Sequence, residues 1–316
     1  MKLERTGVVL LGLLLMVSVV MSFAAAEGVT SGEAIIGDQN QTCASCSIPE
    51  SGVVSYVSGS ETNLLMEFGI DEPKVSDNQI LLIPYSECKD LVNEIMEKAK
   101  LDDDTDAIIG LYDLEQYQIL LIGRGDVVLE AVYDGESVTT YDLIPELLGE
   151  KKVSYSPRGV ALDEQNANEY SLGTELQYQL YSIPVKSPNS SYTILSTYLV
   201  KVSRTDEFRN VVQDVIASLH TEGWFYVDYG NSITSIEDHS TWWVNPAMLG
   251  WRQCEYSTQN TGMYTTLGKH STHFKFGCFT DRCQMDIWVS CNAWLTTDDG
   301  GNTNRWVSLS PDGCIG

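Results

Sequence analysis

The chain has 316 residues, a net charge of −25 and 43% hydrophobic residues. That length can bury a full core, and the acidity repels phosphate backbones and anionic lipid, which excludes nucleic acid as a partner. Eight cysteines and seven tryptophans are distributed very unevenly along it.

Lys2 and Arg5 precede an uninterrupted apolar run from Gly7 to Phe23, and Ala24-Ala25-Ala26 supplies the small residues of a cleavage site. Residues 1–26 are therefore expected to be an export signal, with an uncleaved membrane anchor as the rival reading. No later stretch approaches the ~20 apolar residues of a transmembrane helix, so no span is expected after cleavage. An extracellular or cell-surface location follows, and there cysteines normally pair. Residues 27–52 are polar and aperiodic and are read as a flexible arm. In it, Cys43-Ala44-Ser45-Cys46 has redox-motif spacing but arm-like flanks, which favours a small structural disulfide over catalysis.

Strands are expected over 53–58, 62–68 and 80–84. Ser86 then caps a helix running to Lys100, in which Cys88, Leu91, Val92, Ile95, Met96 and Ala99 keep helical spacing. The acidic segment that follows resembles an EF-hand loop, with Asp102, Asp104, Asp106 and Asp113 at positions 1, 3, 5 and 12. Ala107 stands where such loops carry glycine and Asp113 where they carry glutamate. The two readings are a calcium site and a solvated acidic turn; no other cofactor is expected. Strands over 107–112, 117–122, 127–133 and 137–141, separated by Gly123-Arg124-Gly125-Asp126 and Asp134-Gly135, form an antiparallel meander. Another strand pair is expected over 176–185 and 192–203. Thr205 caps a second helix, with Phe208, Val211, Val212, Val215, Ile216 and Leu219 on one stripe and Gly223 at its end.

From Glu27 to Ser240 the chain carries 12 Lys+Arg against 37 Asp+Glu, whereas from Thr241 onward it carries 5 against 6. Six of the seven tryptophans and five of the eight cysteines fall in the second part. Two folding units are expected: an acidic α+β domain over 53–240, an antiparallel sheet with two main helices, and a small disulfide-stapled all-β domain over 241–316. Bridges are expected among Cys254, Cys278, Cys283, Cys291 and Cys314, with Cys278 joined to Cys283 across a turn.

The clearest strand is 284–296, where Met285, Ile287, Val289, Cys291, Ala293 and Leu295 face one way. Asp286, Trp288, Asn292 and Trp294 face the other and form the candidate binding surface, since flat rings beside short polar groups suit an envelope polymer, a glycan or an extracellular protein. His270 and His273, three residues apart on a strand, point to opposite faces and share no metal. No Gly-x-Ser-x-Gly or His-Glu-x-x-His motif occurs. The sequence therefore reads as an exported, non-enzymatic protein whose C-terminal module recognises a target while the acidic part carries, shields or inhibits it. That organisation resembles secreted peptide-antibiotic precursors. The alternative is an extracellular hydrolase whose site is not recognisable in the sequence.

Overall fold

The computed structural model describes residues 53–56, 59, 61–71, 85–101, 107–113, 116–124, 127–160, 170–184, 197–248 and 250–307. In chain order, β1 (Val53–Tyr56) and β2 (Thr62–Asn63) lead into helix α1 (Leu64–Glu67) and then helix α2 (Tyr85–Ala99). A meander follows: β3 (Ala107–Asp113), β4 (Gln118–Arg124), β5 (Val127–Tyr133) and β6 (Val138–Leu143). Next come β7 (Glu146–Val160), β8 (Tyr170–Ser182), β9 (Thr197–Asn210), β10 (Val215–Asp228), β11 (Ser232–Asp238) and β12 (Thr241–Val244). The last four are β13 (Trp251–Thr261), β14 (Leu267–Cys278), β15 (Asp281–Asn292) and β16 (Thr296–Val307).

These strands build three antiparallel sheets. The terminal sheet runs β1-β16-β15-β14-β13, with β2 also on β16; the central sheet runs β11-β10-β9-β8-β7, with β12 also on β10; the meander β3-β4-β5-β6 is the third. Leu176, Tyr178, Val200, Val202, Phe225 and Val227 of the central sheet pack against Val289 and Cys291 of the terminal sheet. A second cluster between the same two sheets joins Phe208, Ile216 and Leu219 to Phe274, Phe276, Met285 and Ile287. The opposite face of the central sheet, through Leu199, Trp224 and Tyr226, meets Ile109, Ile119 and Leu121 of the meander. The far side of the meander, Leu111, Leu120 and Ile122, is covered by Val92, Ile95 and Met96 of α2. The order of layers is thus terminal sheet, central sheet, meander, helix.

This stacking explains two sequence runs that do not alternate. Ile119-Leu120-Leu121-Ile122 and Trp224-Phe225-Tyr226-Val227 are apolar at every position because each strand is covered on both faces. Each such side chain contributes roughly 1.5–3 kcal/mol of burial, which keeps the central layers together. The α2 helix and the four-stranded meander agree with the sequence reading.

Three expectations are overturned. First, residues expected as a second long helix form the β9–β10 hairpin, so the acidic part is dominated by sheet and α2 is its one helix longer than a turn among the described residues. Phe208, Ile216, Ala217 and Leu219 are buried between the sheets, while Val211 and Val212 stand 62% and 69% exposed at the hairpin tip. Asn210 closes that tip, its side-chain oxygen accepting from the amides of Val212 at 3.1 Å and Asp214 at 2.9 Å. Val215 and Ile216, β-branched and stiff at χ1, begin β10, which pairs along its length with β9. A smaller difference has the same locality: the strand expected over 62–68 ends after Asn63, whose side chain caps α1 by accepting from Leu65 N at 3.2 Å.

Second, there is no domain break at Ser240–Thr241. Residues 48–316 form one compact unit. Strand β12, just past the expected boundary, pairs with β10 through Ala217–Val244 and Leu219–Trp242, and the terminal sheet is half of the sandwich core.

Third, the bridges expected at Cys278, Cys283 and Cys291 do not form, whereas Cys254 is disulfide-bonded. Cys278, Cys283 and Cys291 carry thiols. Cys283 and Cys291 are buried inside the sandwich, where they behave as small apolar side chains, and burial pushes both thiols well above their ordinary pKa. Across the β14–β15 pair, Cys283 lies opposite Phe276 and Cys278 opposite Asp281, so the expected Cys278–Cys283 bridge has no register to form in. Cys43, Cys46 and Cys314, like the export signal and the arm, lie outside the described residues.

Candidate functional site

Strand β15 confirms the period of two up to its end. Met285, Ile287, Val289 and Cys291 are buried and point to the central sheet, which sets Asp286 and Trp288 on the outer face. That face carries no further layer among the described residues. Pairing places His273 opposite Asp286, and Ser271 and Gly300 on either side of Trp288. The indole lies flat against Gly300, where a Cβ would come within 2.6 Å of the ring. Gly300 therefore acts as the ledge on which Trp288 rests. Lys269 closes over the other side, its ammonium 4.4 Å from the ring centroid. Burial lowers the Lys269 pKa and raises that of Asp298 beside it, each charge partly offsetting the other's shift.

Asp286 is occupied by two neighbours. His273 Nδ1 lies 2.5 Å from Oδ1, and Gln284 Nε2 donates to Oδ2 at 2.5 Å. His273 Nε2 faces Glu255 at 3.8 Å, and Lys275 donates to the same carboxylate at 2.9 Å. That hydrogen bond from Lys275, against a smaller effect of burial, holds the Glu255 carboxyl below its ordinary range. The outer face is a charge-paired lattice rather than an open aromatic platform. His270, by contrast, is on the buried side, so the two histidines do face opposite ways.

Asn292 and Trp294 are not part of this face. The strand ends at Asn292, whose Oδ1 accepts from the amides of Trp294 and Thr296, both at 2.9 Å, and so shapes the β15–β16 turn. Trp294 is carried out at the turn tip. The turn is tied to two others: Ala293 N donates to Thr266 O at 2.9 Å, and Gly230 N donates to Ala293 O at 2.8 Å. Three hairpin ends therefore meet at one end of the sandwich.

The residues displayed there were not singled out by the sequence reading. Met263 is 46% exposed, Tyr264 45%, Leu267 56% and Trp294 47%. The available signal was composition: Gly262-Met263-Tyr264 is a turn, yet it carries two large apolar residues where turns usually carry polar ones. Tyr264 also holds a left-handed backbone, φ +62°, a conformation a bulky side chain rarely adopts.

Asp102, Asp104 and Asp106 lie outside the described residues. Asp113 closes β3. No group of three metal-ligating side chains occurs among the described residues. No described helix is long and apolar enough to cross a membrane. The chain matches no protein-family profile, no curated protein and no solved structure.

Proposed function

We propose that the protein is an exported recognition protein that binds an uncharged glycan of an envelope or extracellular surface through the hairpin end of its sandwich. One observation carries this reading: Met263, Tyr264, Leu267 and Trp294, four large apolar side chains, are about half exposed on turns locked to one another by backbone hydrogen bonds. Rings on a rigid frame stack on sugar faces with little entropy to lose. The net charge of −25 disfavours polyanionic targets, which narrows the choice to neutral or basic polymers. Secretion rests on the charged start, apolar run and Ala triplet at residues 1–26.

The acidic segment is no detachable shield in this reading. It supplies β7–β11 and thus most of one side of the core, so the resemblance to an excised peptide precursor is not carried forward.

Retention of the full chain on neutral polysaccharide and envelope preparations tests the proposal. Trp294→Ala and Tyr264→Ala are expected to weaken retention at least tenfold while leaving the melting temperature within about two degrees, because exposed side chains contribute little to folding. A wild-type chain retained on nothing, or variants retained as well as wild type, would reject it.

A further inference from the structure

Beyond recognition, the structure assembles a hydroxyl, an imidazole and an amide in hydrogen-bonding series at the rim between β11 and β12. Ser240 Oγ lies 2.7 Å from His270 Nε2, and His270 Nδ1 lies 2.6 Å from Asn260 Oδ1. Asp238 ends β11 and Ser240 follows it before β12, while Asn260 on β13 and His270 on β14 face each other across one hairpin. They match no linear motif.

The tautomer follows from the network. Asn260 Nδ2 donates to Ile236 O at 2.9 Å, which turns its Oδ1 to the ring. Nδ1 must then carry the hydrogen, leaving the Nε2 lone pair for the Ser240 hydroxyl. The Glu222 amide donates to Ser240 Oγ at 3.0 Å and favours negative charge on that oxygen. Asp238 Oδ1 stands 3.2 Å from Nε2, placed to pair with an imidazolium when one forms. It is itself held by the Ser240 amide at 2.8 Å. The titratable groups facing His270 are Asp238 and His239; burial lowers its pKa, Asp238 opposes this and His239 adds to it, and the net shift is downward. Ser240 is half-buried, with the exposed residues Asp238 and Thr241 on either side.

We infer that Ser240 is an activated nucleophile, with His270 as its proton acceptor and Asn260 as the positioning residue, competent to take the acyl group of a carboxylic ester. Oγ bonds to the carbonyl carbon as its proton passes to Nε2; the ester C–O bond then breaks and that proton leaves with the alcohol. Water, deprotonated by the same nitrogen, attacks the acyl-serine and releases the acid, restoring Ser240.

A biotinylated fluorophosphonate applied to the folded full chain is the test: Oγ displaces fluoride from phosphorus while the proton goes to Nε2. Peptide mapping is expected to place one label on Ser240. Ser240→Ala should lose it, and His270→Gln should slow labelling at least a hundredfold. Labelling of the wild type should rise with pH through a midpoint below the ordinary histidine pKa of 6.5. Asn260→Asp, which puts a carboxylate on the Nδ1 side, should move that rise up by about one pH unit. This arm stands even where His270→Gln does not fold. A folded wild type that gains no label, a label on other residues, or an Asn260→Asp profile that does not move would each overturn the inference. Trp294→Ala should label normally, which separates this site from glycan recognition.

Discussion

Arg204 lies with no exposure between the two sheets of the sandwich, and its guanidinium serves two carboxylates. It donates to Asp206 at 3.0 and 3.1 Å along its own strand and to Asp299 at 2.9 Å across the interface. Tyr178 donates to the remaining Asp299 oxygen at 3.2 Å. Gly301 leaves room for the guanidinium, since a Cβ there would come within 2.8 Å of Nη2. One cation therefore holds two buried anions, and removing it leaves both uncompensated. Arg204→Met is expected to cost about 3–5 kcal/mol, read as a lowered urea midpoint; a loss under 1 kcal/mol would show that water reaches the pair. None of this was visible in the sequence. Arg204 and Asp206 read as one more charged stretch in an acidic chain, because nothing local shows that strand β9 has both faces covered.

At the scale of elements, the reading succeeded where one period dominated and failed where two competed. The meander was legible because turn residues separate its strands at short intervals. The core face of β15 was legible because Met285 to Cys291 alternate without interruption. The β9–β10 hairpin was not, because Phe208, Val211, Val212, Val215, Ile216 and Leu219 satisfy a helical stripe by coincidence. Its deciding signal was chemical: Asn210 and Gln213 can form a turn, and Val211-Val212 is a poor helix centre. Gln213 holds φ +67°, a conformation that costs an L-residue roughly 1–2 kcal/mol. Gln213→Gly should relieve that cost at the expense of backbone entropy, for a net gain of about 0.5–1 kcal/mol in urea unfolding. A helix at this position would give the opposite sign, a loss of about 1 kcal/mol.

For the whole molecule, the contrast in charge and tryptophan content across Ser240 suggested two domains, and the structure shows two sides of one core. Both sheets contribute aromatics to that core: Phe208 from the central sheet packs at 5.4 Å on Phe276 from the terminal sheet. Composition reports what a segment carries, not what it is buried against. The Ser240–His270–Asn260 series was hidden for the same reason, its members coming from separate strands. Neither 53–240 nor 241–316 is then expected to fold alone. Each fragment should show little near-ultraviolet dichroism and early proteolysis, and mixing them should restore both signals. A fragment that melts cooperatively by itself would revive the two-domain reading.

The strand that closes the terminal sheet comes from the far end of the chain. β1 near the start pairs with β16 near the finish, Val53 opposite Asn304 and Tyr56 opposite Gly301. Those partners are separated by 251 positions (304 − 53), so they emerge from a ribosome or a translocation channel far apart in time. Until β15 and β16 emerge, the apolar face of the central sheet has nothing to cover it, so the assembly belongs to the high-contact-order class that folds slowly and late. A chain built this way stays threadable for as long as its last quarter is withheld, which is what passage through a narrow pore in the unfolded state requires.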